Sequence, residues 1–411
     1  MRRVAVTGIG IVSPIGNSAE DAFRNACAGR SGVGLLQTAF SHRLKAPLGA
    51  TVQGDVSGGF EPAKLRMLDR FSLFALVAAN QAVAGCGGGV EFARADPTRT
   101  GVFVGNGMGG THSMDDGYQT LYGEGSDRIK PFTVLLGMHN AAAAWIGIEH
   151  EVRGPVLTYS TACSSSAVAI GEAWQRIAHG DLDRAIAGGA EAPLSNGSLK
   201  AWEALHTLAE IDTADPSASC KPFAADRSGM VLGEGAAMLV LEPWDDACAR
   251  GARIHGEILG YAATNEATHI TRPGARGQAD AMKAALRSAA LEPQAIDAIN
   301  AHGTGTRAND SCETQAIKAV FGDRAGRIPV SATKAIHGHL LGAAGALEAV
   351  LSLLAMQHGV ALPTMHLKMN DAECDLDYVP GVARPMAVRT MLSNSFAFGG
   401  TNAVLVLGAA G

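Results

Sequence analysis

The spacing of apolar residues along the chain predicts alternating strands and helices. The run Val156–Tyr159 is apolar with β-branched and aromatic residues, which indicates a buried strand. Apolar residues at 167, 170, 173, 174 and 177 then recur at helical spacing, and Gly180 is a plausible helix end. A strong apolar period likewise predicts a helix over 65–84. Alternation of this kind is typical of an α/β protein.

Other segments continue this alternation. The segment 111–130 is polar and is expected to be irregular. Predicted strands begin at Val4 and cover 100–105, 185–187, 231–241, 254–261, 296–301, 330–333 and 403–407. Predicted helices cover 19–28 (with Ser18 as the cap), 134–148, 199–208, 245–250, 279–290, 312–321 and 340–358.

Two segments of the chain follow the same plan. Residues 156–180 and 328–359 each contain a strand, a turn with Ser and Thr, a helix of small residues and a terminal His-Gly pair. We interpret this as an internal repeat of two α/β halves with mixed sheets, spanning 1–250 and 251–411. An active site at the seam would collect loops from both halves.

Composition narrows the class of protein. The chain has 411 residues, 47% of them hydrophobic, and 51 glycines, which favours a large and tightly packed core. The net charge is −6 and no basic stripe exists, so nucleic-acid binding is not expected. No membrane span and no signal peptide are predicted, and the cytoplasm is the expected location. The seven cysteines are scattered without a CxxC pair, which argues against a zinc site or a disulfide framework.

Cys163 is the candidate nucleophile, because it lies where a predicted strand turns into a helix among small residues. The positive end of a helix dipole favours thiolate over thiol, so the pKa of Cys163 is expected to be lowered. The alternative is an ordinary buried core cysteine.

Two histidines stand in similar settings, His302 in the sequence HGTGT and His339 before a helix. Two neutral histidines that donate N–H bonds can hold a carbonyl beside a developing carbanion, which suits decarboxylative carbon–carbon bond formation. His337 lies two residues from His339, and spacing does not distinguish them. A metal site formed by one Cys and two His is an alternative that no pairwise spacing supports.

The sequence GNGMGG at 105–110 matches a dinucleotide-binding fingerprint. The βαβ unit and the acidic residue that this fingerprint requires do not follow. A tight turn whose backbone another group approaches closely is therefore favoured.

Four motifs together resemble the elongating β-ketoacyl-acyl-carrier-protein synthases, over essentially the whole chain. These are TACSS at 161–165, HGTGT at 302–306, Lys334 followed by Gly338-His339, and NSFAFGGTN at 394–402. The resemblance implies a thiolase-like, duplicated fold of five α-β-α-β-α layers with mixed sheets.

The resemblance also implies roles for individual residues. Cys163 would take the acyl chain, His302 and His339 would promote decarboxylation of a malonyl thioester, and Lys334 would orient the site. The N–H groups of Cys163 and Phe398 would bind the oxyanion, with Phe398 also acting as a gate. Substrate contacts are expected from Met108, Phe396, Thr304, Thr306 and Gly399, and structural support from Glu348, Asp310 and Glu313.

The implied reaction is a decarboxylative Claisen condensation of an acyl group with malonyl-acyl-carrier protein in fatty-acid elongation. The alternative is a ketosynthase of a polyketide or polyene pathway, paired with a chain-length-factor subunit. A catalytically silent partner subunit is disfavoured by the intact Cys163, His302 and His339, and a thiolase or initiating synthase by the sequence contexts of the two histidines. A cysteine hydrolase is disfavoured because nothing in the sequence positions a water molecule.

The implied partners are acyl carrier protein, acyl and malonyl thioesters and a second subunit, identical or paralogous, without nucleic acid or membrane. No metal or bound cofactor is implied, since acyl groups arrive on phosphopantetheine. Five residues depart from the family pattern: His337, Asn309, Ala397, Asn106 and Met108. Asn309 replaces a glycine, and we expect it to tolerate a left-handed turn. Ala397 is expected to stiffen the gate.

Overall fold

The structure is a computed structural model that describes residues 1–87, 92, 96–369 and 371–410. Its strands are β1 (Val4–Val12), β2 (Val33–Leu35), β3 (Leu48–Ala50), β4 (Thr100–Gly105), β5 (Val156–Tyr159), β6 (Arg184–Glu191), β7 (Gly235–Pro243), β8 (Gly256–Asn265), β9 (Ala298–Asn300), β10 (Val330–Ser331), β11 (Val360–Ala361), β12 (Arg384–Pro385), β13 (Thr390–Phe396) and β14 (Thr401–Gly408). Its helices are α1 (Ala19–Cys27), α2 (Pro62–Leu65), α3 (Arg70–Gly85), α4 (Thr111–Tyr118), α5 (Thr133–Gly137), α6 (Ala141–Glu149), α7 (Ser165–His179), α8 (Asn196–Ala204), α9 (Trp244–Ala249), α10 (Ala275–Ser288), α11 (Arg307–Phe321), α12 (Lys334–His337) and α13 (Ala344–His358).

The main sheet consists of two sets of five strands with the same internal order. The N-terminal set runs β5-β4-β6-β7-β1 and the C-terminal set runs β10-β9-β13-β14-β8. In each set the first three strands are parallel to one another, and each of the last two runs antiparallel to the strand before it. The sets join where Val4–Val6 of β1 pairs with Gly256–Ile258 of β8. This matching order is what a duplicated α/β unit produces.

Helices occupy three layers around the two strand sets. The buried helices α7 and α13 lie between them and contact strands of both. Helices α3 and α6 cover the outer face of the N-terminal set, and α10 and α11 cover that of the C-terminal set. The resulting α-β-α-β-α order is the five-layered fold that the resemblance implied.

Glycines in β1 allow α3 to pack directly on the strand backbone. A Cβ atom at Gly8 would lie 2.0 Å from the carbonyl oxygen of Ala82, and one at Gly10 would lie 1.9 Å from that of Ala78. Both positions therefore require a residue without a side chain, which explains the repeated glycines in this strand.

Several predicted elements differ from the structure. The strand expected over 231–241 begins only at Gly235, and the helix expected over 199–208 is Asn196–Ala204. The helix expected over 65–84 begins only at Arg70, because Asp69 caps α3 by accepting a hydrogen bond from the N–H of Phe71. The helix expected over 134–148 is divided into α5 and α6 by extended backbone at Met138. The segment 111–130, expected to be irregular, contains α4.

Strand β5 is more exposed than predicted. It was expected to be buried, yet it is an edge strand of the main sheet and Leu157 is 37% exposed.

The last long helical segment is a core element. The segment Leu341–His358 is long and apolar enough to span a membrane, but 89% of it is buried inside the protein. Its apolar character is that of a core helix packed between the two strand sets.

Candidate active site

The turn that presents Cys163 is held by the serine and threonine residues around it. Ser165 Oγ accepts from the N–H of Thr161 at 2.9 Å and donates to the carbonyl of Ala162 at 2.6 Å. Ala162 has a left-handed φ of 52°. An alanine in this region is strained, and such strain persists only where the surroundings enforce it. The turn places Cys163 just before α7, with 6% of its surface exposed.

The expectation of a lowered pKa for Cys163 is wrong. Burial raises the pKa of its thiol to about 12, and the charge of Glu191 adds to the rise. The charge of Lys334 and the backbone N–H groups of Phe398 and Cys163 oppose this rise. The increase in pKa that desolvation causes is larger than the decrease that the helix N-terminus would cause, because removing water destabilises the thiolate more than these donors stabilise it.

His302 follows β9 in a loop that is hydrogen-bonded on its backbone and its ring. The N–H groups of His302 and Gly303 donate to the carboxylate of Glu313 at 2.8 and 2.9 Å. Lys334 Nζ donates to the carbonyl of His302 at 2.6 Å and lies 3.3 Å from its Nδ1 atom. Since an ammonium group only donates, Nδ1 accepts and the ring proton is on Nε2.

His339 has the same tautomer for a different reason. Its Nδ1 accepts from the backbone N–H of Leu341 at 3.2 Å, so its proton is also on Nε2. This Nε2 atom is buried and has no hydrogen-bond partner in the part of the chain that the structure describes. The rings of His302 and His339 lie 5.3 Å apart at an interplanar angle of 81°.

Both histidines are neutral. Burial and the charge of Lys334 hold the pKa of His302 and that of His339 well below the usual value. Each ring therefore offers one Nε2–H donor without a positive charge.

The geometry separates His337 from His339. His337 Nδ1 lies 2.7 Å from the carbonyl of Gly338, and Nε2 lies 3.0 Å from Thr333 Oγ1. Both ring nitrogens are thus used within the local turn. Burial lowers the pKa of His337 to about 3, so it too is neutral.

Lys334 and Glu348 form an ion pair behind the two histidines. Nζ and Oε1 lie 2.5 Å apart, with the side chains 0% and 1% exposed. Burial raises the pKa of Glu348 to about 7, whereas Lys334 lowers it. The pair fixes a positive charge beside His302 that helps to keep both rings neutral.

Seven of the residues to which the resemblance assigns a role line one open cavity of about 120 Å³, together with Asn309 and Ala397. They are Cys163, His302, Thr304, Thr306, His339, Phe396 and Phe398. Met108 is not among its lining residues but packs in the apolar cluster that contains Cys163 and Leu341. Gly399 is exposed on the adjoining loop, where its N–H donates to the carbonyl of Ile270 at 2.7 Å.

Phe398 contacts a residue that the sequence did not single out. Its ring stacks on Trp202 of α8, with ring centres 6.0 Å apart and an interplanar angle of 22°. Ala397 beside it has relaxed extended backbone, with φ −126° and ψ 154°.

The two acidic residues after HGTGT hydrogen-bond the loop backbone. Asp310 accepts from the N–H groups of Thr304 and Phe223 at 3.1 and 2.8 Å. The expectation for Asn309 is wrong, because it lies in the first turn of α11 and no left-handed conformation arises there. Its side-chain amide instead donates to Asp310 and Glu313 at 3.2 and 3.4 Å.

The donor atoms of Cys163, His302 and His339 all lie within 4.8 Å of one another. The folded chain therefore brings together the Cys and two His that spacing left apart. The buried ammonium of Lys334, 3.3 Å from His302, opposes a cation at this position.

Sequence reasoning missed two glutamates near the cavity, Glu191, which is buried, and Glu266, which is half-buried. Glu191 hydrogen-bonds the loop that contains Met108, and Glu266 lines the cavity wall beside Asn402. Glu191 was detectable as a single charge within the apolar run AIAGGAEA, because a lone acid among small apolar residues is seldom solvated.

Comparisons with known sequences match this geometry. The family model described as "Beta-ketoacyl synthase, N-terminal domain" matches residues 1–247, and "Beta-ketoacyl synthase, C-terminal domain" matches residues 255–368. The chain is 42% identical over 404 residues to Nodulation protein E of Rhizobium meliloti (strain 1021), covering 98% of both chains. It is 40% identical over 417 residues to 3-oxoacyl-[acyl-carrier-protein] synthase 2 of Coxiella burnetii (strain RSA 493 / Nine Mile phase I), covering 99% of this chain and 98% of that one.

Solved structures give the same result over the full length. A type II polyketide acyl-carrier protein in complex with its ketosynthase bound to the hexaketide superimposes with a TM-score of 0.93 at 31% identity, covering 100% of both chains. The ishigamide ketosynthase/chain length factor superimposes with a TM-score of 0.92 at 34% identity, again covering 100% of both chains. The fold, the motifs and these matches establish that the chain belongs to the β-ketoacyl synthase family.

Proposed function

We propose that the protein catalyses the decarboxylative Claisen condensation of an acyl group, held on Cys163, with malonyl-acyl-carrier protein. The observation that supports this most directly is the pair of neutral histidines, each with its proton on Nε2, beside a buried cysteine. A general base for a water molecule would need a ring nitrogen free to accept a proton. Here both Nδ1 atoms already accept hydrogen bonds, so the rings act as donors.

The first half-reaction transfers the acyl group to the enzyme. The sulfur of Cys163 attacks the thioester carbonyl, the carrier's thiolate leaves, and the thiol proton passes to that leaving group. The backbone N–H groups of Cys163 and Phe398 lie close enough to the sulfur to lower its pKa, and they are proposed to donate to the tetrahedral oxyanion.

The second half-reaction forms the new carbon–carbon bond. The malonyl thioester loses CO₂, and the electron pair of the broken bond moves to the thioester oxygen as an enolate. The Nε2–H groups of His302 and His339 donate to this oxygen. The enolate carbon then attacks the acyl-Cys163 carbonyl, the Cys163 thiolate leaves from the β-ketoacyl product, and it takes up a proton from water to restore the thiol.

These steps need no metal and no bound organic cofactor. The acyl groups arrive on the phosphopantetheine arm of acyl carrier protein, and the cavity between Thr306 and Cys163 is the proposed path for that arm. Thr304 and Thr306, whose hydroxyls lie 2.8 Å apart in the wall, are the proposed polar contacts for its amides. Met108 and Phe396 are proposed to contact the acyl chain and Gly399 to permit movement of the gate.

Fatty-acid elongation is the proposed pathway. The relative named 3-oxoacyl-[acyl-carrier-protein] synthase 2 favours it, and Cys163, His302 and His339 are all present. A polyketide or polyene ketosynthase is the second candidate, favoured by the ketosynthase/chain length factor match. The two candidates share the chemistry and differ in the acyl chain and in the partner subunit.

A dimer is proposed to form along β5. This strand leaves one edge of the main sheet unpaired among the described residues. An exposed strand edge beside apolar side chains is a typical site for pairing with a second chain. Exposed apolar residues lie on β5 (Leu157), on the helix α6 that contacts it (Ile148) and in the segment before α6 (Phe132, Val134, Leu135 and Met138).

We further propose that the chain divides into an N-terminal half (1–250) with the nucleophile and a C-terminal half (251–411) with the two histidines. The matching strand orders of the two halves support this division. A cytoplasmic location is proposed from the enzyme class and the scattered cysteines.

The test is the intact mass of the purified protein after exposure to a panel of acyl-carrier thioesters, followed by malonyl-carrier protein. Saturated acyl adducts on Cys163 that disappear on malonyl addition, with release of a β-ketoacyl product, would support fatty-acid elongation. Adducts formed only with unsaturated or short starters, or only with a second subunit, would favour the second candidate. Absence of any adduct would overturn the nucleophile assignment.

A further inference from the structure

Glu191, the last residue of β6, is a buried carboxylate that none of the proposed chemical steps uses. Its surface is 0% exposed, and no lysine, arginine or histidine pairs with it among the described residues. Its partners are all donors: the backbone N–H groups of Gly107, Met108 and Gly342, at 2.8, 2.9 and 3.0 Å, and the side-chain amide of Asn106, at 3.4 Å. A buried carboxylate that accepts several N–H bonds fixes the backbone that supplies them.

These donors come from both halves of the proposed active site. Gly107 and Met108 belong to the glycine-rich loop after β4, and Met108 packs in the cluster with Cys163. Gly342 follows Leu341, whose N–H sets the tautomer of His339. The carboxylate of Glu191 therefore connects the loop beside the proposed acyl site with the turn that aims the His339 proton.

The two loops approach each other so closely that only glycine fits. A Cβ atom at Gly342 would lie 2.6 Å from the backbone nitrogen of Gly107 and 2.8 Å from Glu191 Oε2. A Cβ atom at Gly107 would lie 3.0 Å from the same oxygen. The GNGMGG segment that resembles a nucleotide-binding turn thus has a different physical reason, close approach to this carboxylate.

We propose that Glu191 is a positioning residue of the condensation reaction, which holds the Met108 loop and the Leu341–Gly342 turn in register through its ionised carboxylate. This positioning role of Glu191 rests on the proposed function of the site. All three backbone partners are donors, so only the carboxylate form satisfies them together. A protonated acid or an amide would direct a hydrogen towards one of these N–H groups and lose that bond.

The protonation of Glu191 falls in an accessible pH range. Burial raises the pKa of Glu191 to about 7, opposed by its three backbone hydrogen bonds. The titratable groups near it are the Cys163 thiol, with Lys334 and His339 beyond it, and His139, which bonds the neighbouring Asn106. On the side of β7, Glu234 directly precedes Gly235, the residue that pairs with Glu191, and its carboxylate forms an ion pair with Arg70.

Function and stability are expected to respond to pH in opposite directions. The folded pKa lies above the usual value of the unfolded chain, so the contribution of Glu191 to stability is present at low pH and is lost as the pH rises through about 7. Condensation, by contrast, needs the ionised form and weakens as the pH falls through that value. A residue with a purely structural role would not give this opposition.

The test compares wild type with Glu191→Gln for condensation rate from about pH 6 to pH 8 and for the lengths of accepted acyl chains. Wild type should lose activity as the pH falls through about 7. Glu191→Gln should be about tenfold to a hundredfold slower at pH 8, without that acid limb, and should accept a broader range of chain lengths. Glu191→Asp keeps the carboxylate and should retain the acid limb at a reduced rate.

Glu242→Gln is the matched control. Glu242 is also buried and also on a strand, but it lies seven positions along β7 from Gly235, the residue that pairs with Glu191. Its substitution should leave the pH profile unchanged.

An acid limb that persists in Glu191→Gln would assign the titration to another group, such as Glu348, and would overturn the proposal. So would a wild-type profile that is flat across this range, which can be measured even if no variant folds. If wild type forms no acyl adduct on Cys163, the proposed function itself fails, whereas normal condensation by Glu191→Gln overturns this inference alone.

Discussion

The N–H group of Leu341 donates to Nδ1 of His339 at 3.2 Å, whereas the neighbouring His337 uses both of its nitrogens within its own turn. A single backbone hydrogen bond thereby leaves one buried N–H donor on His339 facing the nucleophile. Spacing in the sequence did not distinguish these two histidines, whereas the family motif indicated His339.

Substitution of His339 by alanine should slow decarboxylation of the malonyl thioester about 10²–10³-fold, since one donor to the enolate oxygen is lost. Acyl transfer to Cys163 should change far less. The measurement is CO₂ release from malonyl-carrier protein alongside intact mass. His337→Ala is the matched control and should retain decarboxylation in whatever fraction of the protein folds; the reverse pattern would mean that His337 is the donor.

Replacing Lys334 by methionine should destabilise the protein by about 3–5 kcal/mol at pH 8, because the buried Glu348 carboxylate loses its cation. The loss should be smaller at pH 6, because without the charge of Lys334, which lowers the pKa of Glu348, this carboxyl takes up a proton at a higher pH than in wild type. Urea unfolding at both pH values measures this. Lys318→Met breaks an exposed pair with Asp375 and should cost only about 0–1 kcal/mol; equal losses in the two variants would contradict the account.

Alkylation of Cys163 by iodoacetamide should be slow at pH 7 and should still be accelerating at pH 9, since burial raises its pKa to about 12. Lys334→Met should slow the reaction further, because its charge lowers that pKa. Peptide mass mapping distinguishes Cys163 from the exposed Cys248, which serves as a reference for reagent access. A plateau of the rate below pH 8 would show a preformed thiolate instead.

Trp202→Ala should accelerate single-turnover acylation of Cys163 by up to about tenfold. The Trp202–Phe398 stack stabilises the observed loop position by about 0.5–1.5 kcal/mol, and opening of the loop must break it. Time-resolved intact mass with a long acyl-carrier thioester provides the measurement. Trp145→Ala, which removes a tryptophan packed in the outer apolar cluster, is the control and should leave the acylation rate of the folded protein unchanged. A slower acylation in Trp202→Ala would indicate that the stack supports the open form.

Much of the fold was accessible from local patterns. The limits of β4 and β5 and the stop of α7 at Gly180 follow from apolar runs and a left-handed glycine, which are properties of neighbouring residues. The division of 65–84 at Asp69 was not accessible in the same way. The cap of α3 also accepts from the N–H of Ser113, and that contact exists only in the folded chain.

The sequence by itself determined the family, the candidate nucleophile and the two histidine motifs, because these depend on residue identity and order. Tertiary structure alone decided their electrostatics. The pKa of Cys163 rises because the folded core removes water from its sulfur, and the tautomers of His302 and His339 are set by Lys334 and Leu341. The partners of Glu191 likewise come from loops more than 80 and 150 residues away, and no local pattern encodes which backbone groups meet a buried carboxylate.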